Sequence, residues 1–429
     1  MDELLYKKEI PIAGEYDVIV AGGGPAGVAA AVSAAKAAPG IRVLLFEQSG
    51  VLGGASSLAM VPEVMNFGDG VSTLSRGFGE SVFRRVFVGD ITDLSWRPVK
   101  VEALKRAYDE LVTGAGVNLL LYTRLVDAEV DGDGAITHLI LSGQEGVFAV
   151  SGAIFVDATG CAALARLAGA DVTRGDESGN TMPATLCSLW GGIDFERKGR
   201  DADSVEAACR DGVFSIWDTV LPGIKRTYPG IGVGGGNVGH CFSVDDGSSR
   251  SMTDATLDGR RRMPEYETFY RNYVPGCENA ELILTAPWLG IRESFRVDTV
   301  STLTNDHFDD GYSYPDEIGR YSYPIDIHPM TADPVGMAGF YRSVSRKLAP
   351  GQSYGIPYGA LLPKKVKNLL VVGRNIGADR EMAASVRVIP ACFITGQAAG
   401  IGAALAAKEK IAPAAVEVDQ IRKTIDSIA

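Results

Sequence analysis

The alternation of apolar and polar positions is most informative at the start of the chain. Tyr16-Asp17-Val18-Ile19-Val20-Ala21 is a β-branched apolar run of the buried-strand kind. It passes into Gly22-Gly23-Gly24-Pro25-Ala26-Gly27 and then into an Ala-rich stretch, 28–38, of strong helix formers. After Gly40 a second apolar run, 41–46, ends at Glu47. This order predicts strand, glycine turn, helix, strand, acid. Farther on, 101–115 reads as an amphipathic helix and 117–121 as a buried strand. From 126 to 156 the pattern predicts short strands with turns at 131–134 and Gly143, a small antiparallel insertion. A strand at 368–373 and a closing helix at 389–407 follow near the C-terminal end.

The segment 172–360 differs in character, holding most of the tyrosines, three of the four tryptophans and three of the four histidines. The expected organisation is an α/β nucleotide domain split into 15–171, including the insertion 126–156, and 361–429. An α+β substrate domain, 172–360, lies between them.

Gly22, Gly24 and Gly27 fit G-x-G-x-x-G, and Glu47 stands 20 residues beyond Gly27. Gly22 permits the tight turn, Gly24 lets a pyrophosphate approach the backbone, and Gly27 lets helix and strand pack closely. The helix start supplies unpaired N–H groups for phosphate, and Glu47 would accept hydrogen bonds from a ribose diol. A 2′-phosphate would be repelled there, and the next residue is Gln48, not Arg. A dinucleotide is expected, and spacing alone leaves NAD and FAD open. The same spacing recurs at Gly234, Gly236 and Gly239, with no strand expected before it and a polar stretch after it. That second match reads as a mobile or closely packed loop by the substrate, not a second nucleotide site.

Glycine makes up 52 of 429 residues, about 12%, and part of that excess falls in these motifs. The net charge is −12 without a long basic run, which argues against a nucleic-acid partner. The weakly polar stretch 391–407, broken by Thr395 and Gln397, reads as too short for a membrane span. The first eight residues, with Lys7 and Lys8, lack the apolar core of a leader, so a cytoplasmic protein is expected. Six scattered cysteines give no metal framework, and no metal is expected.

Several motifs together resemble the FAD flavoproteins of glutathione-reductase type: the first glycine turn with Glu47, Gly53-Gly54, 156–160 ending in Ala158-Thr159-Gly160, and Gly396-Gln397-Ala398-Ala399-Gly400. Gly290-Ile291-Arg292-Glu293-Ser294, Tyr323-Pro324-Ile325-Asp326-Ile327-His328, Tyr354-Gly355-Ile356-Pro357-Tyr358 and Arg387-Val388-Ile389-Pro390 narrow this. They resemble the FAD-dependent oxidoreductase family, which includes relatives of the heterodisulfide reductase flavoprotein subunit. Those relatives carry cysteine clusters that this chain lacks, and Cys161 stands where the family often has an acid. The resemblance implies a Rossmann-like FAD domain and non-covalent FAD, with the flavin across Gly53-Gly54-Ala55-Ser56. It also places the start of the closing helix, at Pro390 and Ala391, toward the pyrimidine side of the ring. The small residues after Ala391 suit close approach to a cofactor, or simply packing on a sheet. Gly22, Gly24, Pro25, Ala26, Gly27, Glu47, Gln48, Gly53, Gly54, Ala55, Ser56, Ala158, Thr159, Gly160, Gly373, Arg387, Pro390 and Ala391 form the expected cofactor set.

Flavin chemistry on a small organic substrate needs one proton to be managed. His328 is the first candidate, because on a strand it shares a face with Asp326, which could orient it; a structural histidine is the alternative. His240, beside the glycine loop, is the second. Arg292 and Arg296 would share a helix face, and one could clamp a carboxylate or pair with Glu293. Arg387 faces either the flavin or the substrate, and Tyr323, Tyr354 and Tyr358 line the pocket or the core. His138 and His307 read as structural or exposed. The expected activity is two-electron oxidation or reduction by hydride transfer at flavin N5. The alternatives are a non-catalytic electron-transfer subunit with a protein partner, or a flavin monooxygenase.

Overall fold

The computed structural model describes residues 4–5, 7–220 and 222–428. Part of the N-terminal stretch on which the leader reading rests (Met1, Asp2, Glu3 and Tyr6) lies outside the described residues. The chain opens with β1 (Ile12–Ala21), α1 (Pro25–Ala37) and β2 (Val43–Phe46). After α2 (Val101–Gly114) come β3 (Asn118–Leu120), β4 (Arg124–Val130), β5 (Ile136–Gly143) and β6 (Gly146–Asp157). Val18, Ile19 and Val20 are wholly buried because β1 pairs in parallel with β2 on one side and β6 on the other. A strand covered on both faces needs a continuous apolar run, and 18–21 supplies one.

A second, four-stranded antiparallel sheet is built from β7 (Ser188–Gly191), β8 (Ile224–Tyr228), β9 (Val233–Gly236) and β10 (Glu281–Thr285), in the order β8-β9-β7-β10. The helix α3 (Ser249–Tyr273) contributes Met263, Tyr266, Phe269 and Tyr270 to the core around Trp190 and Ile224. This sheet corrects the reading of the second glycine match. A strand does precede it, and Gly234, Gly235 and Gly236 form buried strand, not a mobile loop. The absent side chains have a packing reason: a Cβ on Gly236 would lie 2.9 Å from both Ser188 Oγ and Trp190 Nε1.

The chain returns through β11 (Leu369–Val371) to the first sheet, continues into α4 (Ile389–Glu409) and ends in a shorter helix, Val418–Ile428. β6 serves two partners along one edge: its first half pairs antiparallel with β5, and Phe155–Asp157 pair in parallel with β11. The small antiparallel insertion is thus continuous with the parallel core. By length and mean hydropathy (1.5) α4 is apolar enough to cross a membrane, contrary to the reading from 391–407. Its apolar window is 94% buried inside the protein, where α4 is the central core helix. Cβ atoms on Gly396 and Gly400 would overlap the carbonyls of Ala26 and Ala30, so these glycines let α4 pack on α1. Their close approach is to a helix, not to a cofactor.

Leu303, Phe308, Ile318, Tyr321, Tyr323, Tyr354 and Tyr358 share one apolar core with α1 and α4. Residues from about 303 onward therefore pack with the nucleotide core, while the second sheet has its own. The boundary at 360 expected from composition cuts through this shared core. Aromatic content raised the expectation of a pocket, and Tyr323, Tyr354 and Tyr358 are instead core residues.

Candidate functional site

The parallel strands deliver their C-terminal ends to one cleft with about 1330 Å³ of space between atoms, part of it open to solvent. Gly22 follows β1, Phe46 and Glu47 close β2, Ala158 follows β6, and Val372 and Gly373 follow β11, and all line it. Ligands of open α/β sheets bind in this position, beyond the carboxyl ends of the strands. Trp288, Leu289, Gly290 and Ile291 cover the cleft from the segment after β10.

The first turn is shaped for an anion. Gly22 has φ +100°, in the left-handed region, and a Cβ there would meet the Ala158 carbonyl at 2.7 Å. A Cβ on Gly27 would overlap the Gly22 carbonyl, which explains that glycine by helix–strand contact. Gly24 differs: a Cβ there would meet protein only at 4.0 Å, and Gly24 lines the cleft. Gly24 is also the N-cap of α1 and, having no side chain, cannot cap the helix, so first-turn N–H groups face the cleft. Glu47, 8% exposed, accepts hydrogen bonds from Gly23 N–H (2.8 Å) through Oε2 and from Ser49 N–H (2.8 Å) through Oε1. This fixes the carboxylate at the rim with lone pairs to spare for a diol.

Of the expected cofactor set, Gly22, Gly24, Pro25, Ala26, Glu47, Gln48, Gly54, Ala55, Ala158, Thr159, Gly160, Gly373 and Arg387 line this cleft. Gly27, Gly53, Ser56, Pro390 and Ala391 lie behind it. Gly53 N–H donates to the Gly23 carbonyl (2.7 Å), and Ser56 Oγ donates to the Gly53 carbonyl (2.7 Å), tying the loop to the turn. The start of α4 reaches the cleft through Ile389, one residue before Pro390, and has no side-chain cap.

Arg374 also lines the cleft, and sequence reasoning missed it. Its guanidinium donates to the Gly160 carbonyl (3.1 and 3.0 Å) and the Ile291 carbonyl (2.9 Å), bracing the two walls. Its place just after a buried strand and Gly373 was the available signal. Thr123, Arg124 and Leu125 were missed too, because the pattern there marks only the start of β4.

A family model described as FAD dependent oxidoreductase matches residues 17–425. The chain belongs to this family. It is an FAD-dependent oxidoreductase, with a Rossmann-like parallel core in a mixed α/β fold. Among solved structures, a geranylgeranyl bacteriochlorophyll reductase-like protein from Thermoplasma acidophilum is 12% identical, with 97% of this chain and 82% of that one covered and a TM-score of 0.49. A flavocytochrome c3 fumarate reductase is 13% identical over 92% of this chain and 79% of its own, with a TM-score of 0.39. A p-nitrophenol 4-monooxygenase from Pseudomonas putida is 14% identical over 67% and 70%, with a TM-score of 0.37. No curated protein matches the chain significantly in sequence.

The cleft of this FAD oxidoreductase fits its cofactor on its own chemistry. The uncapped start of α1 suits a pyrophosphate, and the fixed Glu47 carboxylate suits a ribose. Arg387 presents a cation to the cleft, and its buried Nε has no hydrogen-bond partner among the described residues.

The three candidates for the chemistry do not line the cleft. His328 and His240 lie behind Arg387 in a buried row, and Arg292 lies beside that row. Arg387 donates to Asp326 Oδ2 (2.9 Å), and His328 Nε2 faces Asp326 Oδ1 at 3.4 Å. His328 Nδ1 lies 2.7 Å from His240 Nε2, and His240 Nδ1 lies 3.0 Å from both Asp218 oxygens. Asp326 and His328 meet as expected, but from a loop and not from a strand. His240 is fully buried, and its backbone N–H also donates to Asp218 (2.7 Å), so the loop reading is corrected. Asp218 was missed, since no periodicity marks its segment.

Arg292 and Arg296 are not on a helix. Arg292 donates to the Pro183 carbonyl (2.9 Å) and Asn237 Oδ1 (3.2 Å), which fix its guanidinium away from the cleft lining. Arg296 takes the ion-pair role with Glu293 (3.0 Å), which Arg380 also contacts. Burial, with the Arg387 charge nearby, pushes the Arg292 guanidinium down to about 10. Burial and Arg292 hold the His328 imidazolium well below its usual range against the pull of Asp326, and burial lowers His240 against the pull of Asp218. Burial raises the Asp218 carboxyl, but its contacts with His240 outweigh that and bring it down to about 2. His138 pairs with Glu129 (3.3 Å) and His307 stacks on Tyr312, both away from the row.

Proposed function

We propose that this oxidoreductase carries out two-electron oxidation or reduction of a small organic molecule, with hydride passing between substrate carbon and N5 of non-covalently held FAD. The observation that carries the reading is Arg387, a cation on the cleft wall tied through Asp326 to a pair of buried imidazoles. FAD, once bound, supplies the ring that takes or gives the hydride. Everything else falls to the protein. The α1 start holds the pyrophosphate, Glu47 orients the ribose, and the 53–56 loop carries the flavin end, in a nucleotide domain of glutathione-reductase type. Trp288 and Leu289 exclude water from one side of the cleft. With an alcohol or amine substrate, the O–H or N–H proton leaves toward the His328–Asp326 junction. In the reverse direction, Arg387 holds a carbonyl or carboxylate while the same junction returns a proton.

The test is anaerobic mixing of the purified holoprotein with panels of small alcohols, amines and acids. Bleaching of the flavin absorbance by one substrate class alone is the expected result. If bleaching needs a partner protein, the electron-transfer alternative replaces this one. If reduced protein consumes oxygen only with an aromatic substrate present, the monooxygenase alternative does. Acid precipitation should release free FAD, and flavin remaining in the pellet would refute non-covalent binding.

A further inference from the structure

The row from Asp218 to Asp326 has three junctions: carboxylate to ring, ring to ring, and ring to carboxylate. Each needs one proton to be a hydrogen bond, so the full row holds three. Two neutral imidazoles carry only two. The distances show which junction goes without. The ring-to-ring contact at 2.7 Å requires a proton, since two bare nitrogen lone pairs would repel there. His240 Nδ1, at 3.0 Å from both oxygens of Asp218, holds the other. The remaining junction, His328 Nε2 to Asp326 Oδ1, is the long one at 3.4 Å. It is the weakest contact of the three and lies at the end of the row that touches Arg387.

We propose that Asp218, His240, His328 and Asp326 form a single proton store, with its vacancy at His328 Nε2, whose hold on one proton tightens when FAD is reduced. The proposal rests on FAD lying in the cleft beside Arg387, the proposed-function reading of that wall. Any two-electron donor supplies the electrons. The proton comes from that donor or from solvent, and it adds to the Nε2 lone pair without breaking another bond at the row. As it enters, the other two protons can move along the row, so the charge spreads toward Asp218.

The coupling is electrostatic. Arg387 is shared between Asp326 and the cleft, and its Nε has no partner among the described residues. Negative charge in the cleft attracts Arg387 and cancels part of its repulsion on an incoming proton. A unit charge at roughly 8 Å, with an effective dielectric near ~20, strengthens the hold about 30-fold. The other groups around the row are Arg292, which opposes filling in both redox states, Tyr323 beside Asp326, and Tyr266, Tyr341 and Cys209 near Asp218. Burial raises those phenols and that thiol, so they stay neutral where the row takes up its proton.

The experiment tracks the ring nitrogens of ¹⁵N-histidine-labelled holoenzyme by NMR against pH, oxidised and then photoreduced, with no substrate needed. His240 and His328 should titrate together in one single-proton step, with a midpoint higher by about 1.5 pH units in the reduced protein. His138 and His307, away from the row, should be unmoved by reduction. Arg387→Met should raise the midpoint in both redox states, by removing a repelling charge, and shrink the redox-linked shift only by the part relayed through Arg387, while keeping the joint titration. H240Q, a second variant in case the first does not fold, should leave His328 titrating alone. Equal midpoints in the two redox states, or independent titration of the two rings in the native protein, overturn the proposal. A redox-linked shift in a protein that no substrate ever bleaches would keep the store and remove the dehydrogenase reading.

Discussion

Gly22-x-Gly24-x-x-Gly27 and Gly234-x-Gly236-x-x-Gly239 share one spacing and do different work. In the first, a strand ends, the chain turns at Gly22 and an uncapped helix begins, so Gly24 opens onto a cleft. In the second, Gly234 and Gly236 belong to a strand whose neighbours, Ile224, Ser188 and Trp190, fill the space a side chain would take. In the first set Gly22 and Gly27 make room for backbone and Gly24 alone makes room for a ligand, whereas the second set makes room for protein only. Spacing alone does not carry a function; the residues beyond the last glycine decide. After Gly27 the helix continues, and after Gly239 comes the buried ring of His240.

The difference can be broken most severely at Gly27. Gly27→Val drives a side chain into the Gly22 carbonyl and should cost more than about 4 kcal/mol, seen as loss of cooperative unfolding and of soluble holoprotein. Gly24→Val should leave the fold intact and fill the phosphate position. FAD affinity should fall at least ~100-fold by fluorescence titration, with the apoprotein melting temperature nearly unchanged. The converse is expected of Gly236→Val: a loss of about 2 kcal/mol in urea unfolding from the crowded Trp190, with FAD affinity kept in the folded protein. If Gly236→Val weakens FAD as much as Gly24→Val does, the two segments are not functionally distinct.

The smallest effect is one of pH and belongs to the second segment. The buried rings beyond Gly239 have depressed proton affinity, so the unfolded chain binds more protons than the fold below about pH 6.5. Their stabilising contribution is complete above that pH and falls with acidification, by about 1.4 kcal/mol per pH unit for each ring kept neutral. H328Q should flatten the dependence of the urea midpoint between about pH 6.5 and 5.

Local patterns made the nucleotide core legible. The buried run 18–21, the glycine turn, the Ala-rich helix and Glu47 are close in sequence, and each is forced by one nearby contact. Much of the cleft wall came with them, down to Arg387. The proton row was legible only in part. Asp326 and His328 are neighbours in sequence, but His240 and Asp218 reach them across the boundary between two sheets, and no periodicity encodes that meeting. Arg292 misled because a spacing of four was read as helical where the chain is extended or irregular. Gly234–Gly236 misled because a strand made of glycine has no side-chain pattern to read.

The strand β6 carries a consequence for how the protein is made. Its Phe155–Asp157 segment waits for β11, which lies about 210 residues later in the chain. At ribosomal rates of ~5–20 residues per second, that leaves an unpaired, strongly apolar parallel edge for roughly 10–40 seconds. The start of α4 emerges later still, so the cleft lacks a wall for the whole interval and FAD cannot be fully enclosed. Holoprotein yield should therefore depend on what shields that edge during translation, more than on how tightly the finished cleft binds.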